Sequence, residues 1–177
     1  MKKMTLIALA WVLLIAVPAQ AAETFPDLSM TAKMSPAHMK YLSVTGSEFK
    51  ISDIKADFVL LEVYSMYCPI CQRDAPKMNT LYQELAKTGQ DKQIKVLGVA
   101  AGNTPYEVEF YRKKFKVEYP LVEDPDYVQH KAVGEVGTPA FYLLDLREGR
   151  LLILFSQIGE IEDVDEFVKI VVETTEK

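Results

Sequence analysis

The chain has 177 residues, 49% of them hydrophobic and 25% charged, with a formal net charge of −5 at pH 7. That length and apolar share suit one domain with a proper core, while the acidic balance and the shortness of the basic clusters exclude a nucleic-acid-binding surface. The only cysteines, Cys68 and Cys71, lie three apart, and the only histidines, His38 and His130, lie far from them, so a four-ligand zinc pattern is missing.

In chain order, Lys2 and Lys3 precede an apolar run from Leu6 to Val17, followed by Pro18 and the small-residue pattern Ala19-Gln20-Ala21. This reads as a secretory signal spanning residues 1–21, cleaved near Ala21/Ala22. Met4 to Val17 falls short of the ~20 apolar residues that span a bilayer. No cysteine follows the run, which argues against a lipid anchor. A single domain over residues 22–177 is expected, exported to the periplasm or an equivalent space, with 18 basic and 25 acidic side chains.

From Glu23 to Ser52 the pattern is mixed. Met30 to Ala37 is expected as loop, and Met39–Val44 is expected to pair with Glu48–Ile51 in a β-hairpin across Thr45-Gly46. Asp57 to Tyr64 is nearly continuously apolar, as in a strand buried on both faces. The motif Cys68-Pro69-Ile70-Cys71 follows, then a helix to about Lys87 with Met78, Leu81, Tyr82 and Leu85 at helical spacing. Lys92–Ala101 reads as a second strand, parallel to the first across a βαβ crossover. Thr104-Pro105-Tyr106-Glu107 is a capping box opening a helix to about Phe115. A short strand at Tyr119–Val122, a short helix at Asp126–Val133, a hairpin of Ala140–Asp145 with Leu151–Phe155, and an amphipathic closing helix from Glu162 complete the chain.

The cysteine pair carries the chemistry. Cys68 lies at the amino end of a helix, where free N–H groups and the macrodipole favour its thiolate, and Cys71 lies one turn on, within reach of a disulfide. As a structural staple such a bridge would close almost no loop. As a metal site it supplies two ligands of the four that zinc requires. Thiol–disulfide exchange is the reading taken, with a Cu(I)-binding module as its rival from another class, because two soft thiolates suit Cu(I).

Strand, C-x-x-C helix, strand, further helices, a Thr-Pro ahead of a β-hairpin and a final helix together resemble the thioredoxin-like superfamily, and more closely its exported TlpA/ResA-like branch. The likeness is carried by Cys68-Pro-Ile-Cys71, by Pro76, by Glu62 six residues before the first cysteine, and by Val136-Gly-Thr-Pro139. It covers roughly Phe25 to Val172, and it implies an α/β fold: a mixed central sheet flanked by helices, with an N-terminal β-hairpin and an inserted helix–strand segment at Gly102–Val133. It also implies a cis Pro139 beside the cysteines, with the Thr138 backbone free to pair with an extended substrate, and a buried acid at Glu62. A carboxylate in a central apolar strand should have a raised pKa and trade protons near neutral pH.

The resemblance makes the chain an enzyme, a thiol–disulfide oxidoreductase that needs no dissociable cofactor or metal. Its partners would be protein thiol or disulfide substrates and a membrane thiol reductant, with the chain a monomer. Catalysis would rest on Cys68, Cys71 and Glu62, and substrate contact on Thr138, Pro139 and the exposed Tyr67. Tyr67 stands where thioredoxins have tryptophan, and Pro-Ile replaces their Gly-Pro. These positions bear on redox poise, so the direction stays open, with reductant the reading taken. His130 reads as an ordinary helix residue.

Overall fold

A computed structural model describes residues 23–176; the expected signal segment lies outside them. The elements are β1 (Ser29–Thr31), α1 (Pro36–Leu42), β2 (Glu48–Lys50), β3 (Phe58–Tyr64), α2 (Pro69–Thr88), β4 (Ile94–Ala101), α3 (Pro105–Phe115), β5 (Leu121–Asp124), α4 (Val128–Ala132), β6 (Ala140–Asp145), β7 (Leu152–Ile158) and α5 (Val164–Thr175). The central sheet runs β5-β4-β3-β6-β7. β4 lies parallel to β3 and to β5, while β6 is antiparallel to β3 and β7. This is the α/β architecture expected from the sequence, a mixed sheet with helices against it.

β3 is the axis of the molecule. All seven of its residues are buried, and period-two alternation divides them between two cores. Phe58, Leu60 and Tyr64 pack with α2, α3 and α5 through Met78, Leu81, Tyr111 and Phe167. Val59, Leu61 and Val63 pack on the opposite face with Phe25, Met30, Leu42 and Phe49 of the N-terminal segment. Glu62 takes its place in the first series.

The N-terminal segment corrects the sequence reading. The two-stranded antiparallel sheet exists, but its first strand is β1, with Met30 opposite Phe49, and Met39–Val44 is not a strand. Pro36–Leu42 is a helix, with Ser35 Oγ accepting the His38 N–H at 3.2 Å and proline in its first turn. The Ser-Pro start was a cap signal, and it outweighed the weak alternation of Met39, Tyr41 and Ser43. β1 has a single inward residue, too little for periodicity to register. Two smaller shifts follow the same logic. β5 begins at Leu121, after Pro120, which has no N–H to give a ladder. α4 begins at Val128, after Tyr127 in the left-handed region with φ of 59°.

The Ser35 cap gives a direct check on the corrected element. Ser35→Ala should lower stability by about 1 kcal/mol, read as a lower urea midpoint with an unchanged m-value.

Candidate active site

Cys68 is the N-cap of α2, and Pro69 fills the first helical position. The loop leading into it is fixed from two sides: Asn103 Oδ1 accepts the Met66 N–H at 2.7 Å, and Gln72 Nε2 donates to the Met66 carbonyl at 2.7 Å. Asn103 is fully buried, as an amide is when the backbone depends on it. Both cysteines are free thiols. Cys68 Sγ accepts the Cys71 N–H at 3.3 Å and donates to the Thr138 carbonyl at 3.2 Å. The Thr138–Pro139 peptide is cis, and Pro139 is buried while Thr138 is half-buried. The fold therefore brings Cys68, Cys71, Thr138 and Pro139 to one place, although the pairs lie some seventy residues apart.

The two thiols sit in opposed environments. Burial is the largest influence on Cys68 and pushes its pKa up. Hydrogen bonds from the Cys71 thiol and backbone N–H, the Thr138 side chain and the Ile70 N–H together outweigh burial and hold it below the ordinary thiol value. Cys71 is fully buried, and desolvation drives its pKa far up, with the hydrogen bond to Cys68 and the charge of Glu62 pushing the same way. These directions favour the thiolate at the half-buried Cys68 and disfavour it at Cys71.

Glu62 is fully buried on the cysteine side of β3. Burial raises its pKa from 4.5 to about 7; the Tyr119 hydroxyl, donating to Oε2 at 2.6 Å, opposes the rise, and the charge of Asp74 adds to it. Tyr67 is 64% exposed and its hydroxyl donates to Glu107, whose carboxylate also completes the α3 capping box with Thr104. Met66, Tyr67, Tyr106 and Phe110 line a shallow pocket between the loop before Cys68 and α3. His130 Nε2 lies 2.8 Å from the Val136 carbonyl, which can only accept, so that nitrogen carries the proton. Among the described residues no group of three or more His, Cys, Asp or Glu is arranged to hold a metal ion.

Three contributors escaped the sequence reading. Asp74 is buried, accepts the Ile161 N–H at 2.8 Å and pairs with Lys77 Nζ at 3.1 Å. Tyr111 donates to the Cys71 carbonyl at 2.8 Å, and Tyr119 holds Glu62. Asp74 was detectable as an acid one turn beyond Cys71. The tyrosines carried no local signal, since each is a helix-face or loop aromatic whose partner lies some forty to sixty residues away.

A dithiol at the start of the helix that follows the central strand, faced by a cis-proline loop and backed by a buried acid, defines a thioredoxin-like thiol–disulfide oxidoreductase. The AhpC/TSA family pattern matches residues 21–155, and the chain belongs to that family. Among curated relatives, the thiol-disulfide oxidoreductase ResA of Geobacillus thermodenitrificans is 26% identical over 149 residues, covering 84% of this chain and 83% of that protein. Among solved structures, a Chlorobium tepidum protein named after the thiol:disulfide interchange protein DsbE superposes with a TM-score of 0.66 at 19% identity, covering 86% of this chain and 96% of that one. A secreted thiol-disulfide isomerase from Corynebacterium glutamicum superposes with a TM-score of 0.64 at 17% identity, covering 86% of each. The two structures share the fold with this chain, and the thioredoxin-like resemblance read from the sequence holds.

The opposed thiols predict selective chemistry: brief alkylation of the reduced protein near pH 7 should label Cys68 first, with peptide mass analysis finding little Cys71 adduct. Glu62 predicts a pH-dependent stability. Its folded pKa, about 7, lies above the ordinary 4.5, so the folded state binds the proton more tightly; the stability this contributes is complete below about pH 4.5 and is lost as pH rises through about 7. Glu62→Gln should therefore match wild type near pH 4 and exceed it near pH 8 by about 3 kcal/mol at most, in denaturant melts at the two pH values.

Proposed function

We propose that the chain is an exported, monomeric thiol–disulfide oxidoreductase that reduces disulfides of protein substrates and is recharged by a membrane thiol reductant. The observation that carries this reading is the pairing of a partly exposed, low-pKa Cys68 with a buried, high-pKa Cys71 against the Thr138 carbonyl. Export is supported by the apolar run and Ala19-Gln20-Ala21, which place the mature start near Ala22. Among the described residues no helix is long and apolar enough to cross a membrane.

Cys68 thiolate attacks a substrate disulfide, forming a mixed disulfide and releasing one substrate thiolate. Cys71 then gives its proton to Glu62 and attacks the Cys68 sulfur. The bond from Cys68 to the substrate breaks, the second substrate thiolate leaves, and the Cys68–Cys71 bridge forms. Thr138 and Pro139 present the edge along which an extended substrate segment would add as a strand, and Tyr67 gives an aromatic contact beside it. The direction follows from the state that the site disfavours. A thiolate on Cys71 is opposed by burial and by the Glu62 charge, so ionisation of the reduced pair is confined to Cys68, and a second sulfur that gains nothing from ionisation supports the reductant reading.

Cys71→Ser should accumulate mixed disulfides with natural substrates through Cys68, visible as reductant-sensitive adducts on gels, while Cys68→Ser should form none. Glu62→Gln should slow release of reduced substrate by up to roughly 10²-fold, the range of a general base, with the first attack keeping its rate in stopped-flow measurements. A reduction potential for the pair near that of DsbA, ≈ −120 mV, would overturn the assignment as a reductant.

A further inference from the structure

Tyr119 comes from the segment between β4 and β6, not from the strand–helix unit that bears the cysteines, yet it is fully buried behind them. Three features place it. Its carbonyl accepts Arg112 Nη1 of α3 at 3.0 Å. The next carbonyl, of Pro120, accepts the Gly98 N–H of β4 at 2.9 Å. Its ring lies over Gly98, where an added Cβ would come within 3.3 Å of Tyr119 Cε2 and 2.5 Å of Leu121 Cδ2. Gly98 is the register partner of Glu62. The bare backbone at residue 98 thus opens the path by which Tyr119 crosses β4 and donates to Glu62 Oε2, while Glu62 Oε1 is buried with no hydrogen-bond partner among the described residues.

We infer that Tyr119 is the positioning residue of the resolving step: its hydroxyl holds Glu62 Oε2, favours the carboxylate, and leaves Oε1 as the atom that takes the Cys71 proton. This rests on the role given to Glu62 above and adds the residue that keeps Glu62 able to perform it. A hydrogen bond to the charged form of an acid lowers its pKa. Without one, a carboxyl buried this deeply would be mostly protonated at neutral pH, and only a small fraction could accept a proton.

The groups around Glu62 leave this task to Tyr119. β3 contributes Tyr64, whose hydroxyl is buried without a hydrogen-bond partner among the described residues. α2 contributes Cys71 and Asp74, the latter paired with Lys77. α3 contributes Tyr111, whose hydroxyl is committed to the Cys71 carbonyl, and Arg112, whose Nη1 is committed to the Val117 and Tyr119 carbonyls. Beside Glu62 in register, β4 and β6 present only Gly98 and Phe141. Of the influences on the Glu62 proton, burial and Asp74 favour retention and the Tyr119 hydroxyl favours release. Tyr119 itself is held protonated by burial and by the Glu62 charge, so it remains a donor wherever Glu62 titrates.

Tyr119→Phe keeps the ring and removes the donor. The experiment follows the Glu62 carboxyl by 13C NMR across pH, and measures single-turnover release of reduced substrate across pH, in wild type, Y119F, E62Q and the double variant. In Y119F the Glu62 titration should move up by about one unit. Release near pH 7 should fall ~5-fold and recover at higher pH, and Y119F should add nothing in the E62Q background. Gly98→Ala, which crowds the ring from the other side, should shift the titration in the same direction should Y119F fold poorly. A Glu62 titration unmoved in these variants overturns the inference, as does a loss of rate equal at every pH, which marks a packing defect. A shifted titration with an unshifted rate profile instead overturns Glu62 as the proton acceptor of Cys71, and leaves the hold of Tyr119 on the carboxyl standing.

Discussion

A carboxyl group placed in the middle of a strand buried on both faces is the constraint on which the rest of this structure depends. Among the described residues no cation pairs with Glu62, and an isolated buried carboxylate is too costly to persist. The fold meets that cost by letting the group titrate near neutrality and by supplying a single donor, Tyr119. Both responses demand close packing around it. A side chain at Gly98 would collide with Leu121 and crowd the Tyr119 ring where it passes over β4, and α2 must lie near enough for the Glu62 charge to be felt at Cys71. The same burial that makes Glu62 expensive also makes it sensitive to the protonation of its neighbours.

Around that centre the two cysteines are differentiated by position along one helix. Cys68, as N-cap, has backbone and side-chain donors aimed at its sulfur, among them the Cys71 N–H, whereas the Cys71 sulfur lies one turn in, where burial outweighs the one backbone donor that reaches it, from Ser65. One turn of helix therefore separates a sulfur whose pKa is lowered from one whose pKa is raised. The segment from β4 to β6 supports both. Asn103 fixes the approach to Cys68, Tyr111 binds the Cys71 carbonyl and Tyr119 binds Glu62. Its side chains form the rear wall of the site.

What the sequence made legible follows from how local each signal was. Phe58–Tyr64, Ile94–Ala101 and Pro105–Phe115 announce themselves through unbroken apolar runs or a complete capping box, and they appear within two residues of where they were expected. The cysteine pair is legible for the same reason, since its spacing, its proline and its place before a helix all lie within a few residues. The N-terminal sheet was not legible in detail, because β1 buries only Met30 between exposed neighbours, and three residues cannot display a period. Glu62 could be singled out as an acid in an apolar strand, but its donor could not. Tyr119 lies fifty-seven residues on, before a proline, in a stretch that reads equally well as the start of a strand. Only the parallel register of β3 and β4 brings it to Glu62.

That register also explains why Glu62 stands at its position and no other. Side chains on β3 alternate between the face that meets α2 and the face covered by the N-terminal segment. A carboxyl at residue 61 or 63 would point into the second core, among Met30, Leu42 and Phe49, with the sheet between it and Cys71. Moved two residues on, to the position of Tyr64, it would keep the right face but lose the gap over Gly98, because residue 64 pairs with Ala100. Position 62 is where the α2-facing side of β3 and a bare position on β4 coincide. The N-terminal segment contributes from the far side: by sealing Val59, Leu61 and Val63 from water it keeps the whole strand dry, and a dry strand is what raises the Glu62 pKa to about 7.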